Sequence, residues 1–208
     1  MSLELGNATV ISDIERIRMV GSAFHKTGRP VALVPLTTGV HAGHIALVRA
    51  AKRIRGAVTV VALQSPREED LELLRAEGVD IVWDYSPESL WPHGRRIAVT
   101  PADAATALEP DLSGDLTLYL ALILTLSPTD VLFGEKDYEL LLAIHHAVQD
   151  FHLGVRVQGV PAVRMPDGVV MSLRNTHVPA ESREQAAALS AALTAGAHAA
   201  EAGAQKVR

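Results

Sequence analysis

The sequence Pro35-Leu-Thr-Thr-Gly-Val-His-Ala-Gly-His44 lies between a strand pattern and a helix pattern. Before it, Val31–Pro35 is a short apolar run of the kind that forms a buried parallel strand. After it, the apolar residues of segment 45–54 recur at helical spacing. A strand, a glycine-containing turn and a helix start therefore meet at two histidines. Because a helix start offers unpaired N–H groups and the positive end of a dipole, this turn predicts a phosphate or nucleotide site.

The composition limits the classes of protein to consider. A chain of 208 residues with 48% hydrophobic and 21% charged residues predicts a folded globular protein. The net charge of −5 argues against nucleic-acid binding. The lack of cysteine excludes disulfides, thiolate zinc sites and a cysteine nucleophile. No signal peptide is visible, and the longest apolar run, 116–126, is shorter than the ~20 residues that cross a bilayer. We therefore expect a cytoplasmic protein with no membrane partner.

Strand and helix patterns alternate along the chain. Helix starts are predicted at Ser12-Asp-Ile-Glu15 and at Ser65-Pro-Arg-Glu68, where cap residues precede acidic ones. The predicted strands are 31–35, 58–63, 79–83, 131–133 and 155–160, with a further short strand at 96–100. Helices are predicted at 12–26, 45–56, 66–78, 116–126 and 138–151, with an Ala-rich helix from 181 and a hairpin at 163–171. This order predicts an α/β fold with a doubly wound, mostly parallel sheet and helices on both faces.

Two further segments carry side chains that suit a nucleotide. Gly134-Glu-Lys-Asp137 follows a predicted strand and offers a flexible backbone, a cation and a carboxylate. Met171-Ser-Leu-Arg-Asn175 places a hydroxyl and a guanidinium close together, and arginine binds phosphate through two hydrogen bonds. Each segment has a plainer interpretation: a solvated turn, a surface salt bridge or, for His41 and His44, a hydrogen-bonded helix start. No third ligand stands at motif spacing from the two histidines, so no metal site is predicted.

Together, these three segments resemble the pantothenate synthetase (pantoate–β-alanine ligase) family. The resemblance rests on His-x-Gly-His after the first strand, Phe-Gly-Glu-Lys-Asp-Tyr and Met-Ser-x-Arg-Asn, and it covers most of the chain. It implies a Rossmann-like nucleotidyltransferase fold related to class I aminoacyl-tRNA synthetases. It also implies a ligase of pantothenate biosynthesis that uses ATP and Mg²⁺ to adenylate pantoate and then joins it to β-alanine, releasing pyrophosphate and AMP. The family is typically dimeric, so the resemblance implies a homodimer.

The resemblance also implies roles for individual residues. The residues expected to hold the phosphates and to stabilise the departing pyrophosphate are His41, His44, Lys136, Ser172 and Arg174. The residues expected to contact the rest of the nucleotide are Pro35, Gly43, Phe133, Gly134, Asp137, Val163 and Met171. Of these, Gly134 and Asp137 would contact the ribose, and Val163 and Met171 would lie beside the adenine.

The chain departs from the family pattern mainly where pantoate would bind. Leu140 stands where the family carries a pantoate-binding glutamine, and Leu173 replaces a serine. The family's Pro-Thr-Met-Gly turn reads Pro35-Leu-Thr-Thr-Gly39 here. The loop after the second strand is shorter. Residues 1–208 are expected to form one nucleotide-binding domain, without the family's C-terminal lid domain.

These departures leave three functions open. The chain is a minimal pantothenate synthetase, a paralogue that adenylates another small carboxylic acid, or a catalytically inactive nucleotide-binding or assembly protein. Retention of the phosphate-binding residues favours an enzyme that uses ATP. The loss of polar side chains from the acid pocket favours the other two functions, because a polar substrate depends on those hydrogen bonds.

Overall fold

The chain forms a six-stranded parallel sheet between two layers of helices. The computed structural model describes residues 5–102, 112–179 and 182–204. The strands are β1 (Thr9–Ile11), β2 (Val31–Pro35), β3 (Val58–Gln64), β4 (Ile81–Tyr85), β5 (Asp130–Gly134) and β6 (Arg156–Val160). The helices are α1 (Ile14–Lys26), α2 (Ala42–Lys52), α3 (Glu68–Ala76), α4 (Pro87–Leu90), α5 (Ser113–Leu126), α6 (Tyr138–Asp150) and α7 (Arg183–Ala204).

The order of the strands confirms the predicted doubly wound fold. It is β1-β4-β3-β2-β5-β6, and every neighbouring pair is parallel. From β2 the chain adds β3 and β4 on one side and later places β5 and β6 on the other. The direction in which strands are added therefore reverses between β2 and β5, where Ala32 is paired with Asp130. This position is the topological switch point of the sheet. Ligands of open α/β sheets bind beyond the carboxyl ends of the strands at such a switch point.

Alternation along the strands supplies two hydrophobic cores. In β2, Leu33 belongs to the core that packs against α1, α5 and α6, whereas Val34 belongs to the core shared with α2 and α3. Both side chains are fully buried. The apolar run predicted as a buried helix is α5, and Leu122 on it is also fully buried. Strands covered on both faces are expected to be apolar throughout, as β2 is.

The chain divides into two compact units. The first contains Met1–Val40 and His44–Pro161, and the second contains His41–Gly43 and Ala162–Arg208. The first unit holds the whole sheet. In the second unit, the predicted hairpin is present as a bridge between Arg164 and Val170. It is tied to α7 by the hydroxyl of Ser190, which donates to the Gly168 carbonyl at 2.7 Å.

Two predicted helix starts were wrong by one or two residues. The cap of α1 is Asp13 rather than Ser12, because the Asp13 carboxylate accepts a hydrogen bond from the Arg16 amide at 2.6 Å. Helix α3 begins at Glu68 after Arg67, so Pro66 is not its first residue. Asp70, three residues beyond Arg67, accepts the Arg67 amide at 3.0 Å and supplies the acidic half of the cap.

One strand prediction was wrong, and one strand was not predicted. Segment 96–100 forms no strand, because the Val99 amide donates to the Thr117 hydroxyl of α5 at 2.8 Å instead of pairing with the sheet. Strand β1 was not predicted, since three residues are too few to show a periodicity.

Within the described ranges, no helix has the length and apolar character needed to cross a membrane.

Candidate nucleotide site

The predicted nucleotide residues of the first unit follow the carboxyl ends of two adjacent strands. Strand β2 ends at Pro35 and leads into the turn that precedes α2. Strand β5 ends at Gly134 and continues into a 3₁₀ turn, Glu135–Asp137. The switch point lies between these two strands. The sheet topology thus brings the turn before α2 and the segment containing Lys136 to the same edge, as the sequence predicts.

The turn after β2 is braced by the neighbouring strands. The Leu36 amide donates to the Ala62 carbonyl at 2.7 Å, and the Gln64 amide donates to the Thr37 carbonyl at 3.1 Å. From β4, the hydroxyl of Tyr85 donates to the Leu36 carbonyl at 2.9 Å. The entry to the turn therefore has a fixed backbone before the first histidine is reached.

A buried carboxylate holds the middle of the turn. Asp70 of α3 is 1% exposed, and its Oδ1 accepts the Val40 amide at 2.8 Å. Burial by itself would raise the pKa of the Asp70 carboxyl, but hydrogen bonds from the amides of Arg67 and Val40, and from the Arg67 guanidinium, together lower that pKa below its ordinary value. Asp70 is therefore ionised at neutral pH. Sequence reasoning missed this residue, because its partner Val40 is 30 positions away.

His44 is held by the same turn. Its Nδ1 lies 3.1 Å from the Gly39 carbonyl oxygen. A carbonyl only accepts, so this hydrogen bond requires the ring proton on Nδ1. Gly39 has a φ of 63°, a left-handed conformation that glycine adopts without strain. The Gly39 of the altered turn therefore suits the backbone that orients His44.

His41 has the opposite arrangement. Its Nδ1 accepts the Gly43 amide at 3.0 Å, as a side-chain cap does at a helix start. This bond places the ring proton of a neutral His41 on Nε2. A Cβ on residue 43 would lie 2.8 Å from the His41 ring carbon Cε1, so the imidazole occupies the space that glycine leaves. The structure thus gives Gly43 a role toward His41 in addition to the predicted approach of the nucleotide.

Lys136 lies beside a carboxylate in the 3₁₀ turn. Its Nζ donates to Asp137 Oδ1 at 2.5 Å, and both side chains are partly exposed. At Gly134, no described heavy atom lies within 4 Å of the position that a Cβ would take. Phe133 is only 7% exposed and packs edge-on against Tyr119 at 5.2 Å between ring centroids. Phe133 thus contributes mainly to the core, and Gly134 is the position with room for a ligand.

The remaining predicted residues belong to the second unit. The Met171 amide donates to the Val163 carbonyl at 2.8 Å, which closes the base of the hairpin. Ser172 is partly buried and is followed by a 3₁₀ turn, Leu173–His177. Arg174 lies in that turn, and its side chain is outside the part of the chain that the structure describes.

Comparison with known proteins gives one consistent family. Residues 9–208 match the family model described as pantoate-beta-alanine ligase. A pantothenate synthetase of Corynebacterium jeikeium is 41% identical over 98% of this chain and 73% of its own length. One from Mycolicibacterium vanbaalenii is 43% identical over 88% of this chain and 66% of its own length. The chain thus spans about two thirds to three quarters of these relatives.

Solved structures agree with the sequence matches. Pantothenate synthetase from Thermus thermophilus has a TM-score of 0.78 and 30% identity over 94% of this chain and 76% of its own. Pantoate-beta-alanine ligase from Francisella tularensis, solved with beta-gamma ATP and beta-alanine, has a TM-score of 0.78 and 25% identity, covering 88% of this chain and 77% of that one. The predicted resemblance is confirmed, and the chain belongs to the pantoate–beta-alanine ligase family.

Proposed function

We propose that this chain is an ATP-dependent carbon–nitrogen ligase that adenylates pantoate and joins it to β-alanine to give pantothenate. A carboxylate oxygen of pantoate attacks the α-phosphorus of ATP, forming a P–O bond and releasing pyrophosphate. The amine of β-alanine then attacks the acyl carbon, forming the C–N bond as the bond to AMP breaks and the amine loses a proton. The observation that carries the proposal is the hydrogen bond between His44 Nδ1 and the Gly39 carbonyl. It lies in the turn that follows β2, a strand beside the switch point of the sheet.

The two histidines suit different tasks at the phosphates. His41 carries its ring proton on Nε2 and is a hydrogen-bond donor while neutral. His44 has a protonated Nδ1, so a second proton on Nε2 would make it an imidazolium. A cation placed where phosphate charge develops stabilises the transition state. Under this proposal, His41 and His44 stabilise the departing pyrophosphate together with Lys136, Ser172 and Arg174.

The remaining residues would hold the nucleotide. Gly134 has room for the ribose, and Asp137 is the adjacent carboxylate. Val163 and Met171 would contact the adenine, whereas Pro35 and Phe133 are buried and can offer only their backbone or ring edge. The N-terminus of helix α2, which contains Gly43, would supply amide N–H groups to the triphosphate.

Magnesium fits this site as an ion carried by the nucleotide. Mg²⁺ usually binds through one or two carboxylates and the phosphates of its substrate. Among the described residues, no group of three or more His, Cys, Asp or Glu side chains could hold a metal, and Asp137 is the carboxylate that accepts a hydrogen bond from Lys136. When bound, Mg²⁺ would neutralise phosphate charge.

The proposal also includes a cytoplasmic homodimer, as the resemblance implies.

A second candidate is ligation of a less polar acid. Leu140, at the position of the family's glutamine, is 7% exposed and belongs to the hydrophobic core of α6. A buried leucine supplies no hydrogen bond to the hydroxyl groups of pantoate, and a site built around such bonds discriminates strongly by them. The two candidates share the ATP chemistry and differ only in the acid.

Calorimetric titration with ATP and Mg²⁺ tests the shared step first. Heat of binding is expected, and a well-folded protein that gives none would exclude both enzymatic candidates in favour of an assembly protein. Pyrophosphate release measured across a panel of small carboxylic acids, with pantoate included, then separates the two. Release with pantoate supports the main proposal, whereas release only with less polar acids supports the second.

Substitution of His44 tests the site itself. His44→Ala is expected to lower pyrophosphate release by about 10²–10³, the usual cost of losing one transition-state donor. The exposed His146 of α6 provides the matched control, and His146→Ala should retain wild-type turnover. Equal turnover in His44→Ala and wild type would show that the chemistry lies elsewhere.

A further inference from the structure

One peptide group in the turn after β2 is hydrogen-bonded at both ends. The Gly39–Val40 peptide offers its carbonyl to His44 Nδ1 at 3.1 Å and its N–H to Asp70 Oδ1 at 2.8 Å. The carboxylate of α3 and the imidazole of α2 are therefore connected through a single planar amide. The atoms run from the carboxylate to N–H, across the amide to C=O, and from there to the ring N–H.

The peptide has little freedom to turn away from either partner. An amide is planar, so rotating the carbonyl away from His44 also moves the N–H away from Asp70. Asp70 is 1% exposed, which keeps water from replacing the Val40 amide as its partner. The other carboxylate oxygen, Oδ2, accepts the Arg67 amide at 3.0 Å, so the carboxyl group itself is fixed by the start of α3.

The charge of Asp70 strengthens this arrangement. A hydrogen bond to an ionised acceptor is shorter and stronger than one between neutral groups. Bonds in a chain also polarise one another, so an N–H that donates to a carboxylate makes its own carbonyl a better acceptor. The Gly39 carbonyl then favours a protonated Nδ1 in His44 over the alternative tautomer.

We propose that Asp70 is a positioning residue for His44: through the Gly39–Val40 peptide it fixes the Nδ1-protonated form of the imidazole and directs Nε2 as the nitrogen that exchanges a proton. This inference rests on the proposed function of His44 at the phosphates. It assigns a role to a residue of α3 that need not contact the nucleotide. The relation resembles an aspartate that orients a histidine directly, with a backbone amide placed between the two side chains.

The ring tautomer of His44 can be read without any substrate. Long-range ¹H–¹⁵N spectra of the nucleotide-free protein, recorded at a pH where the ring is neutral, identify which ring nitrogen carries the proton. Wild type is expected to show protonated Nδ1. A wild-type His44 with its proton on Nε2 would overturn the inference, and this measurement does not depend on whether any variant folds.

Substitutions of Asp70 then separate positioning from stability. Asp70→Ala is expected to lose the Nδ1-protonated signature and to lower kcat for pyrophosphate release by roughly tenfold to a hundredfold, with a smaller change in KM for ATP. Asp70→Asn keeps one oxygen for the Val40 amide but loses the charge and turns an NH2 group toward the Arg67 amide, which also donates, so its tautomer preference and activity should lie between those of wild type and Asp70→Ala. A folded Asp70→Ala with the wild-type tautomer and turnover would overturn the inference.

Asp80 provides a matched structural control. It is also a buried carboxylate that accepts two backbone amides, those of Gly6 and Thr59, each at 2.8 Å, but it lies just before the amino end of β4, whereas the turn that Asp70 holds follows the carboxyl end of β2. Asp80→Asn is expected to lower stability without changing the His44 tautomer. A tautomer change in Asp80→Asn equal to that in Asp70→Ala would contradict a specific connection to Asp70.

The two proposals can fail separately. If wild type binds no ATP, the proposed function is wrong, while the ring spectra still decide the relation of Asp70 to His44. If wild type releases pyrophosphate but His44 carries its proton on Nε2, the enzymatic proposal stands and the positioning role of Asp70 is wrong.

Discussion

The hydroxyl of Tyr85, at the end of β4, donates a hydrogen bond to the carbonyl of Leu36, the first residue beyond β2, at 2.9 Å. Both residues are buried, with exposures of 1% for Tyr85 and 3% for Leu36. Burial, with a smaller contribution from the charge of Asp115, raises the pKa of the Tyr85 hydroxyl, so the group stays protonated and continues to donate. Tyr85 therefore connects a strand that carries no proposed ligand contact to the turn that carries His44.

Replacing Tyr85 with phenylalanine should weaken both the fold and the turn. The substitution leaves the Leu36 carbonyl without its donor, and an unsatisfied buried polar group costs about 1–3 kcal/mol. We expect the free energy of unfolding in urea to fall by that amount and ATP binding to weaken. Tyr138→Phe, at a position that is 63% exposed, is the matched control for stability and should not change the free energy of unfolding. Equal stability of the two variants would contradict the bracing role of Tyr85.

Lys136 should contribute to ATP binding despite its pairing with Asp137. The pair lies at a partly exposed position, where an ion pair contributes little, so a triphosphate can compete for the ammonium group. Lys136→Ala is expected to lower pyrophosphate release by about 10²–10³ and to weaken ATP binding measured by calorimetry. Lys26→Ala removes the same charge from an exposed site at the end of α1 and should leave both unchanged. An equal loss in both variants would indicate a general charge effect.

Most of the fold was predictable because its signals are local. The apolar run Val31–Pro35, the glycine after it and the periodic apolar residues of α2 identify a strand, turn and helix without tertiary information. The same holds for β3, β5 and α5, whose bounds differ from prediction by a few residues at most. Segment 96–100 is predicted as a short strand, but the Thr117 hydroxyl gives its Val99 amide a partner that the local pattern cannot reveal.

The candidate residues can be found in the sequence, but the contacts that hold their turn in place cannot. His41, His44 and Lys136 stand in the short motifs that carry the sequence resemblance, so they are candidates that the sequence alone supplies. Asp70 and Tyr85 act on the turn from 30 and 49 residues away, and the bonds they make are to backbone atoms. Because the partners are the backbone amide of Val40 and the backbone carbonyl of Leu36, the side chains of those two residues need not be of any particular type. These contacts therefore leave no sequence motif. Asp70 is, in addition, one of three acidic residues in the first turn of α3, so nothing local distinguishes it from Glu68 and Glu69.

The buried Asp130 should make the stability depend on pH in acid. Its carboxylate accepts Arg156 Nε at 2.9 Å and Gln158 Nε2 at 2.8 Å. Burial would raise the pKa of Asp130, but hydrogen bonds from Arg156, Thr129 and Gln158 together lower it below its ordinary value. The unfolded chain therefore binds more protons in acid, and stability is lost as the pH falls from about 4, the ordinary value for aspartate, through the lower folded pKa.

Asp130→Asn should remove part of that dependence. Urea unfolding of wild type and variant, measured from neutral pH down to about pH 2, is expected to give a shallower fall in unfolding free energy for the variant below about pH 4. The variant should also be less stable at neutral pH, because Arg156 loses its charged partner. Glu72→Gln, on the exposed face of α3, removes the same charge and is the matched control. A slope reduced equally in both variants would contradict the assignment to Asp130.

Gly21 sets the distance between α1 and the end of α5. A Cβ on residue 21 would lie 2.0 Å from the Leu126 carbonyl oxygen, which is backbone and cannot move aside as a flexible side chain would. Gly21→Ala should therefore lower the free energy of unfolding by about 1–3 kcal/mol, since the overpacking outweighs the roughly 1 kcal/mol by which alanine favours a helix over glycine. At Gly196 of α7, no described heavy atom lies within 4 Å of the Cβ position, so the same substitution keeps only the favourable effect. Urea unfolding of the two variants should change in opposite directions, and a Gly21→Ala protein as stable as wild type would show that the helices separate without cost.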